Sequence, residues 1–149
     1  MRISFAATLA LTLALALLTH PLRTDAAPSG IVSYELAWTA ERATEILASW
    51  DHAARVRAAW AQALDCLYPI AYGSLGVAIG RWAGTTLGAR LCVAAALLDG
   101  LVENPMLDLE LWWGEGATVP ALIAAVAACG KFGALLLAMG LAVAARWRV

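Results

Sequence analysis

The sequence predicts an all-α membrane protein, a four-helix bundle with an amphipathic helix on its outer surface before the second span. Three observations predict it. Of the 149 residues, 62% are hydrophobic and only 14% charged, against roughly 45–50% and about 25% in soluble domains. Mean hydropathy is +0.75. Four windows approach the length of about 20 apolar residues that a membrane helix needs. The same composition excludes a disordered tail, which requires low hydrophobicity and high charge. A net charge of −1 leaves no basic footprint for nucleic acid, and the length fits a single domain.

The first window, 3–20, is an Ala/Leu/Thr run closed by His20 and Pro21. Arg2 ahead of it and Ala26-Ala27 behind it also suit a secretory signal; Asp25, at the −3 position of a cut after Ala27, argues instead for a retained helix. Pro28-Ser29-Gly30 marks a hinge. Thr39 is a candidate N-cap with Glu41 in the first turn, and Ala43, Ile46, Leu47, Trp50 and Ala54 then recur at helical spacing. This predicts an amphipathic helix over 39–60. Its apolar stripe fits either the membrane surface or the protein itself, since spacing alone does not choose.

The second span is expected over 63–83, with Pro69 in its first turns and Gly76, Gly80 and Gly84 as two overlapping GxxxG packing units. The third is expected over 87–107, although it carries Asp99 and Glu103, with Pro105 shaping its end. The fourth, 119–145, closes on Arg146-Trp147-Arg148. Cytoplasmic termini put Arg2, Arg81, Arg90, Arg146 and Arg148 on the inner side with no acid among them, as the positive-inside rule requires. Trp82 and Trp147 then fall at the inner boundary and Trp60, Trp112 and Trp113 at the outer one.

Ionisable groups inside spans are costly and survive where they face one another. Four are expected there: Asp65, Asp99, Glu103 and Lys131. Asp99 and Glu103 are four residues apart on one helix face, and Asp65, Tyr68, Tyr72 and Gly76 share a face of the second span. Lys131 shares its face with Ala124, Ala127, Ala128, Ala134, Leu135 and Ala138, a mostly small-residue face that admits a neighbouring helix. Asp99 and Lys131, both near mid-span, form the natural ion pair, with Tyr68 and Asn104 placed to hydrogen-bond Glu103 and Asp65. Three carboxylates around one ammonium exceed its charge, so at least one of them is expected to carry a proton. The cluster suits either helix registration or acid–base chemistry, and the candidate catalytic residues are the same four.

Other chemistry is sparse. Cys66, Cys92 and Cys129 form no CxxC pair and are expected as small buried hydrophobes. His20 and His52 have no partner at metal or haem spacing, so no metal and no cofactor is expected.

The segments Asp65-Cys66-Leu67-Tyr68-Pro69-Ile70-Ala71-Tyr72, Asp99-Gly100-Leu101-Val102-Glu103-Asn104 and Lys131-Phe132 follow the order D-x-x-[FY]-P-x-x-Y, D-x-x-x-E-N, K-[FW], preceded by Tyr34-Glu35-Leu36-Ala37-Trp38-Thr39. From about residue 31 onward the chain resembles a family of small bacterial four-helix integral membrane proteins. The resemblance implies four spans in a bacterial cytoplasmic membrane; that family carries no assigned activity, so it implies no catalytic role. The expected function is an accessory or scaffolding subunit that docks to a membrane-protein partner or to its own copies. The alternative is a membrane enzyme or carrier for a lipid or isoprenoid-like molecule.

Overall fold

A computed structural model describes residues 1–113 and 118–147, and these contain no strand. Helix α1 (Arg2–Thr19) is the Ala/Leu/Thr run. The hydroxyls of Thr8, Thr12 and Thr19 donate to carbonyls one turn earlier, which satisfies them in apolar surroundings. A 3-10 turn over His20–Leu22 follows. Gly30 then takes φ +62, and a Cβ there would lie 3.1 Å from the Thr19 carbonyl oxygen. The chain enters α2 (Ile31–Glu35) from this turn.

Trp38, at φ +61, reverses the chain between α2 and α3. The Thr39 amide donates to the Ala37 carbonyl at 2.7 Å across it, a tight γ-turn that stores strain in a bulky residue. Helix α3 (Ala40–Ser49) is capped by Thr39, whose hydroxyl accepts from the Arg42 amide. The amphipathic helix expected over 39–60 is in fact two helices. Trp50 is extended, and Asp51 starts α4 (His52–Asp65) by accepting from the Ala54 amide at 2.7 Å. An aspartate that can cap a helix ends one and begins the next.

A turn at Cys66–Leu67 leads into α5 (Tyr68–Ala83), with Pro69 in the first turn, where a missing amide costs nothing. The path expected as a span over 63–83 is thus helical from His52, with that turn inside it. Gly84 ends α5 at φ +74, and Thr85 caps α6 (Thr86–Leu98) through the Gly88 amide. Asp99–Glu103 is a π-helical segment in which the Asn104 amide donates to the Asp99 carbonyl five residues back. Helix α7 (Asn104–Trp113) continues from it. Pro105 therefore does not end the third helix, which runs past 107 to Trp113: the wider π turn absorbs the proline, which has no amide to donate. Helix α8 is Thr118–Trp147. Arg148 and the connection at 114–117 lie outside the described residues, as does the Trp113 side chain.

Helix α5 packs on α6, α6 on α8, α7 on α8, and α1 runs along α4 and α5. Glycine permits the closest of these approaches. A Cβ on Gly76 would come within 2.5 Å of Cys92, and one on Gly80 within 2.8 Å of the Ala89 backbone nitrogen. Gly84 is no part of that contact. Nothing lies within 4 Å of its Cβ position, and it serves as the left-handed stop of α5. Gly73, whose Cβ position is 3.0 Å from Ala96, extends the packing face in its place.

Two kinds of interior result. At one end, Leu22, Tyr34, Ile46, Leu47 and Trp50 bury their bulk against Leu107, Ala121 and Ala124. The apolar stripe of α3 thus packs on the protein itself. Along the long helices the buried residues are small or polar, while Leu13, Ile70, Leu97, Leu101, Leu136 and many other large apolar side chains point outward. Three helical stretches, Arg2–Leu22, His52–Ala83 and Val119–Trp147, are long and apolar enough to cross a membrane by length and composition. The α6–α7 path carries Arg90, Asp99, Glu103 and Asp108 along its length, which keeps it off that set. Of the thiols only Cys92 is buried; Cys66, in the turn between α4 and α5, and Cys129, on α8, are exposed.

Candidate functional site

The site forms where α8, the π segment and α2 meet. Lys131 is placed by a face of α8 on which Ala124, Ala127, Ala128 and Ala138 are buried. Those methyl groups let the neighbouring backbone come close enough for the ammonium to reach carboxylates. Lys131 Nζ donates to Glu103 Oε1 at 2.8 Å and to Asp99 Oδ1 at 3.2 Å. Residues 99 and 103 open and close this single wide turn, so they remain stacked and both acids meet one cation. All three side chains are buried, Glu103 completely.

Asp99 has a second partner, for the Tyr72 hydroxyl donates to its Oδ2 at 2.9 Å and so joins α5 to the cluster. Glu35, from α2, brings the third carboxylate, with Oε2 3.9 Å from Lys131 Nζ. Burial pushes the Glu35 carboxyl up to about 8, and Lys131 opposes that rise while the neighbouring acids add to it. A loosely held, largely buried acid beside two better-paired ones is where a proton is kept at neutral pH.

Asp65 is not one of the carboxylates within 4 Å of Lys131. It ends α4, one turn before α5 begins, and stays partly exposed. Tyr68 also departs from expectation: its hydroxyl lies 3.1 Å from Thr12 Oγ1 on α1, and its ring stands edge-on to Tyr72 at 5.2 Å. The Asn104 carbonyl oxygen accepts from Gln62 Nε2 at 3.2 Å, a buried bond between α7 and α4. Among the described residues Glu103 Oε2 and Asn104 Nδ2 are buried with no hydrogen-bond partner at ordinary distance, and Asp65 is the polar group beside Asn104.

Glu35 and Gln62 were missed by sequence reasoning. Glu35 follows Tyr34 in a five-residue helix whose pattern is too short to assign a face. Gln62 lies in the last turn of α4, at the end of a stretch expected on a surface. The available signal was an acid set among Tyr34, Leu36 and Ala37 instead of among polar neighbours. Among the described residues no cluster of three or more His, Cys, Asp and Glu is arranged to hold a metal ion. Chemically, the arrangement holds one cation against two hydrogen-bonded carboxylates with a third beside them, and it ties four elements together. Comparison with protein-family models, with curated proteins and with solved structures finds no match to this chain.

Proposed function

We propose that the chain is a four-span protein of a bacterial cytoplasmic membrane that serves as an accessory or scaffolding subunit, docking through its apolar outer surface to a larger membrane assembly or to further copies of itself. Helices α1, α4–α5, α6–α7 and α8 are the spans, both termini are cytoplasmic, and α2 and α3 form a cap on the outer side. The membrane reading is supported by the reversed burial along the long helices, with small and charged residues inside and Leu, Ile and Val outside. Exposed apolar area on that scale marks contact with lipid or protein. Trp60 and Trp82, both exposed, are separated by about 33 Å of helix path at 1.5 Å per residue, close to the thickness of a hydrocarbon core. Arg146 stacks over Trp82 at 4.0 Å, which sets the ends of α5 and α8 at one level. Two of the charges on α6–α7 that keep it from the purely apolar class, Asp99 and Glu103, are turned onto Lys131.

The scaffold reading is carried by one observation: the cation and its acids are taken up with each other. Lys131 is answered by Glu103, Asp99 and Glu35, and Asp99 by Tyr72. A cation held by acids from several elements fixes helix register and leaves the outer surface free for a partner. The test is purification in a mild detergent followed by mass spectrometry of co-purifying proteins and lipids. A stoichiometric protein partner or a defined homo-oligomer is expected; a monomer with no co-purifying protein overturns the reading.

A second reading rests on Glu103 Oε2 and Asn104 Nδ2, an acceptor and a donor on adjacent residues that no described residue satisfies with a hydrogen bond at ordinary distance. In a membrane enzyme or carrier for a lipid or isoprenoid-like molecule, Glu103 or Asp65 is the general acid or base and the Asp99–Lys131 pair sets the local field. Glu103→Gln with unchanged assembly and lost lipid turnover favours this reading over the first.

A further inference from the structure

A cleft of about 530 Å³ opens at the turn between α5 and α6. Gly80 and Ala89 line it where α5 comes against the backbone of α6, and Val77 and Val93 give it apolar walls. Arg81, Arg90 and Thr86 line it as well. It lies at the Trp82–Arg146 end of the molecule, away from the Lys131 cluster. Among the described residues neither guanidinium has a carboxylate within 4 Å. The sequence supplies the reason: every Asp and Glu falls within 25–65 or 99–115, and none in 66–98 or beyond 115.

We infer that this cleft binds an anionic phospholipid, its phosphate held by Arg81 and Arg90 and its acyl chain laid along Val77 and Val93. Guanidinium groups take phosphate oxygens in pairs, which an ammonium does not. The N-terminus of α6 at Thr86 adds free amides and the positive end of the helix dipole on the same wall. Basic recesses between spans on the cytoplasmic side are where anionic headgroups collect. Charge and apolar wall together select a lipid: a free phosphate uses the arginines and leaves the walls empty. The inference rests on the membrane reading with that end of the bundle inward.

Native mass spectrometry of the full chain in mild detergent, with equal phosphatidylglycerol and phosphatidylcholine added, tests it. Phosphatidylglycerol is expected to be retained about tenfold over phosphatidylcholine, a preference worth about 1.4 kcal/mol. R81Q/R90Q is expected to abolish the preference, R57Q at the outer end to leave it, and R81K/R90K to keep part of it. V93W narrows the apolar wall with both arginines in place and is expected to lower retention, so the test holds even if R81Q/R90Q does not fold. Equal retention of the two lipids, an unchanged preference in R81Q/R90Q or V93W, or displacement by millimolar inorganic phosphate overturns the site. Extraction of the chain from membranes by alkaline carbonate overturns the membrane reading itself; resistance to carbonate with no lipid preference overturns the lipid site alone.

Discussion

Lys131 Nζ lies 2.8 Å from Glu103 Oε1, and this contact ties α8 to the segment where the third helical path leaves α-geometry. The π turn over Asp99–Glu103 keeps both of its end residues on the Lys131 side and lets the helix pass Pro105. π turns are rare and gather at sites under constraint. Here the turn directly precedes Pro105, whose missing amide it accommodates while Asp99 and Glu103 stay on one side.

Lys131→Met removes the cation and leaves Asp99 and Glu103 buried with no counter-charge. Breaking a buried pair from one side costs about 3–5 kcal/mol. Thermal unfolding in detergent, followed by tryptophan fluorescence, is expected to show that loss. The double variant K131M/E103Q is expected to lose less than the sum of K131M and E103Q, because removing both partners strands fewer charges. Additive losses would mean that the two side chains do not share one interaction.

The Glu35 carboxyl, pushed up from 4.5 to about 8 by burial, makes stability depend on pH with a definite sign. Between those values the folded chain holds a proton that the unfolded chain releases. Stability is therefore greatest below about 4.5 and is lost as pH rises through about 8. Unfolding temperature measured across that window is expected to fall in the parent chain and to flatten in Glu35→Gln. An infrared carbonyl band of a protonated acid that persists at pH 7 and vanishes in Glu35→Gln checks the same group directly.

Asp99, Glu103 and Lys131 were legible in the sequence because an ionisable residue in an apolar window has to find a partner, and helical spacing says which ones share a face. The Thr39 cap was legible for a similar reason, since a hydroxyl followed by an acid in the first turn is a local signal. Glu35 was not, because its place beside Lys131 depends on the strained turn at Trp38 and on α3 folding back, both of which are tertiary facts. The break at Trp50–Asp51 was masked by an apolar stripe that continues in phase through Ala54. Asp65 was placed by a spacing that assumes one unbroken helix; the turn at Cys66–Leu67 interrupts it, and Asp65 adjoins the cluster at its edge, beside Asn104, without reaching Lys131.

Gly80 and Gly84 separate two roles that one GxxxG pattern merges. Gly80→Ala puts a methyl 2.8 Å from the Ala89 backbone nitrogen, and backbone cannot swing aside. α5 and α6 have to part, and overpacking of this kind costs about 1–3 kcal/mol. Gly84→Ala meets open space but has to hold φ +74, a left-handed strain of about 1–2 kcal/mol for a residue with a Cβ. Gly84→Asn is expected to recover part of that loss, since Asn tolerates the left-handed region, whereas Gly80→Asn is expected to be worse than Gly80→Ala. Equal behaviour of the two positions in thermal unfolding would return Gly84 to the packing face.

Residues 20–27 are built into the cap. Leu22 and Ala27 are wholly buried, the Trp50 indole donates to the Leu22 carbonyl at 2.8 Å, and Arg42 donates to the Ala26 carbonyl at 2.7 Å. Leu22→Ala leaves a cavity among Tyr34, Ile46 and Trp50 and is expected to cost about 2–5 kcal/mol. Trp50→Phe keeps most of the ring but leaves the Leu22 carbonyl without its donor, at about 1–3 kcal/mol. A chain beginning at residue 28 loses both contacts together with α1, and its near-ultraviolet circular dichroism is expected to lose the signal of a packed Trp50. If that shorter chain unfolds at the same temperature as the full one, the segment before Pro28 lies on the protein without supporting it, and the Leu22 and Trp50 variants would have to be silent as well.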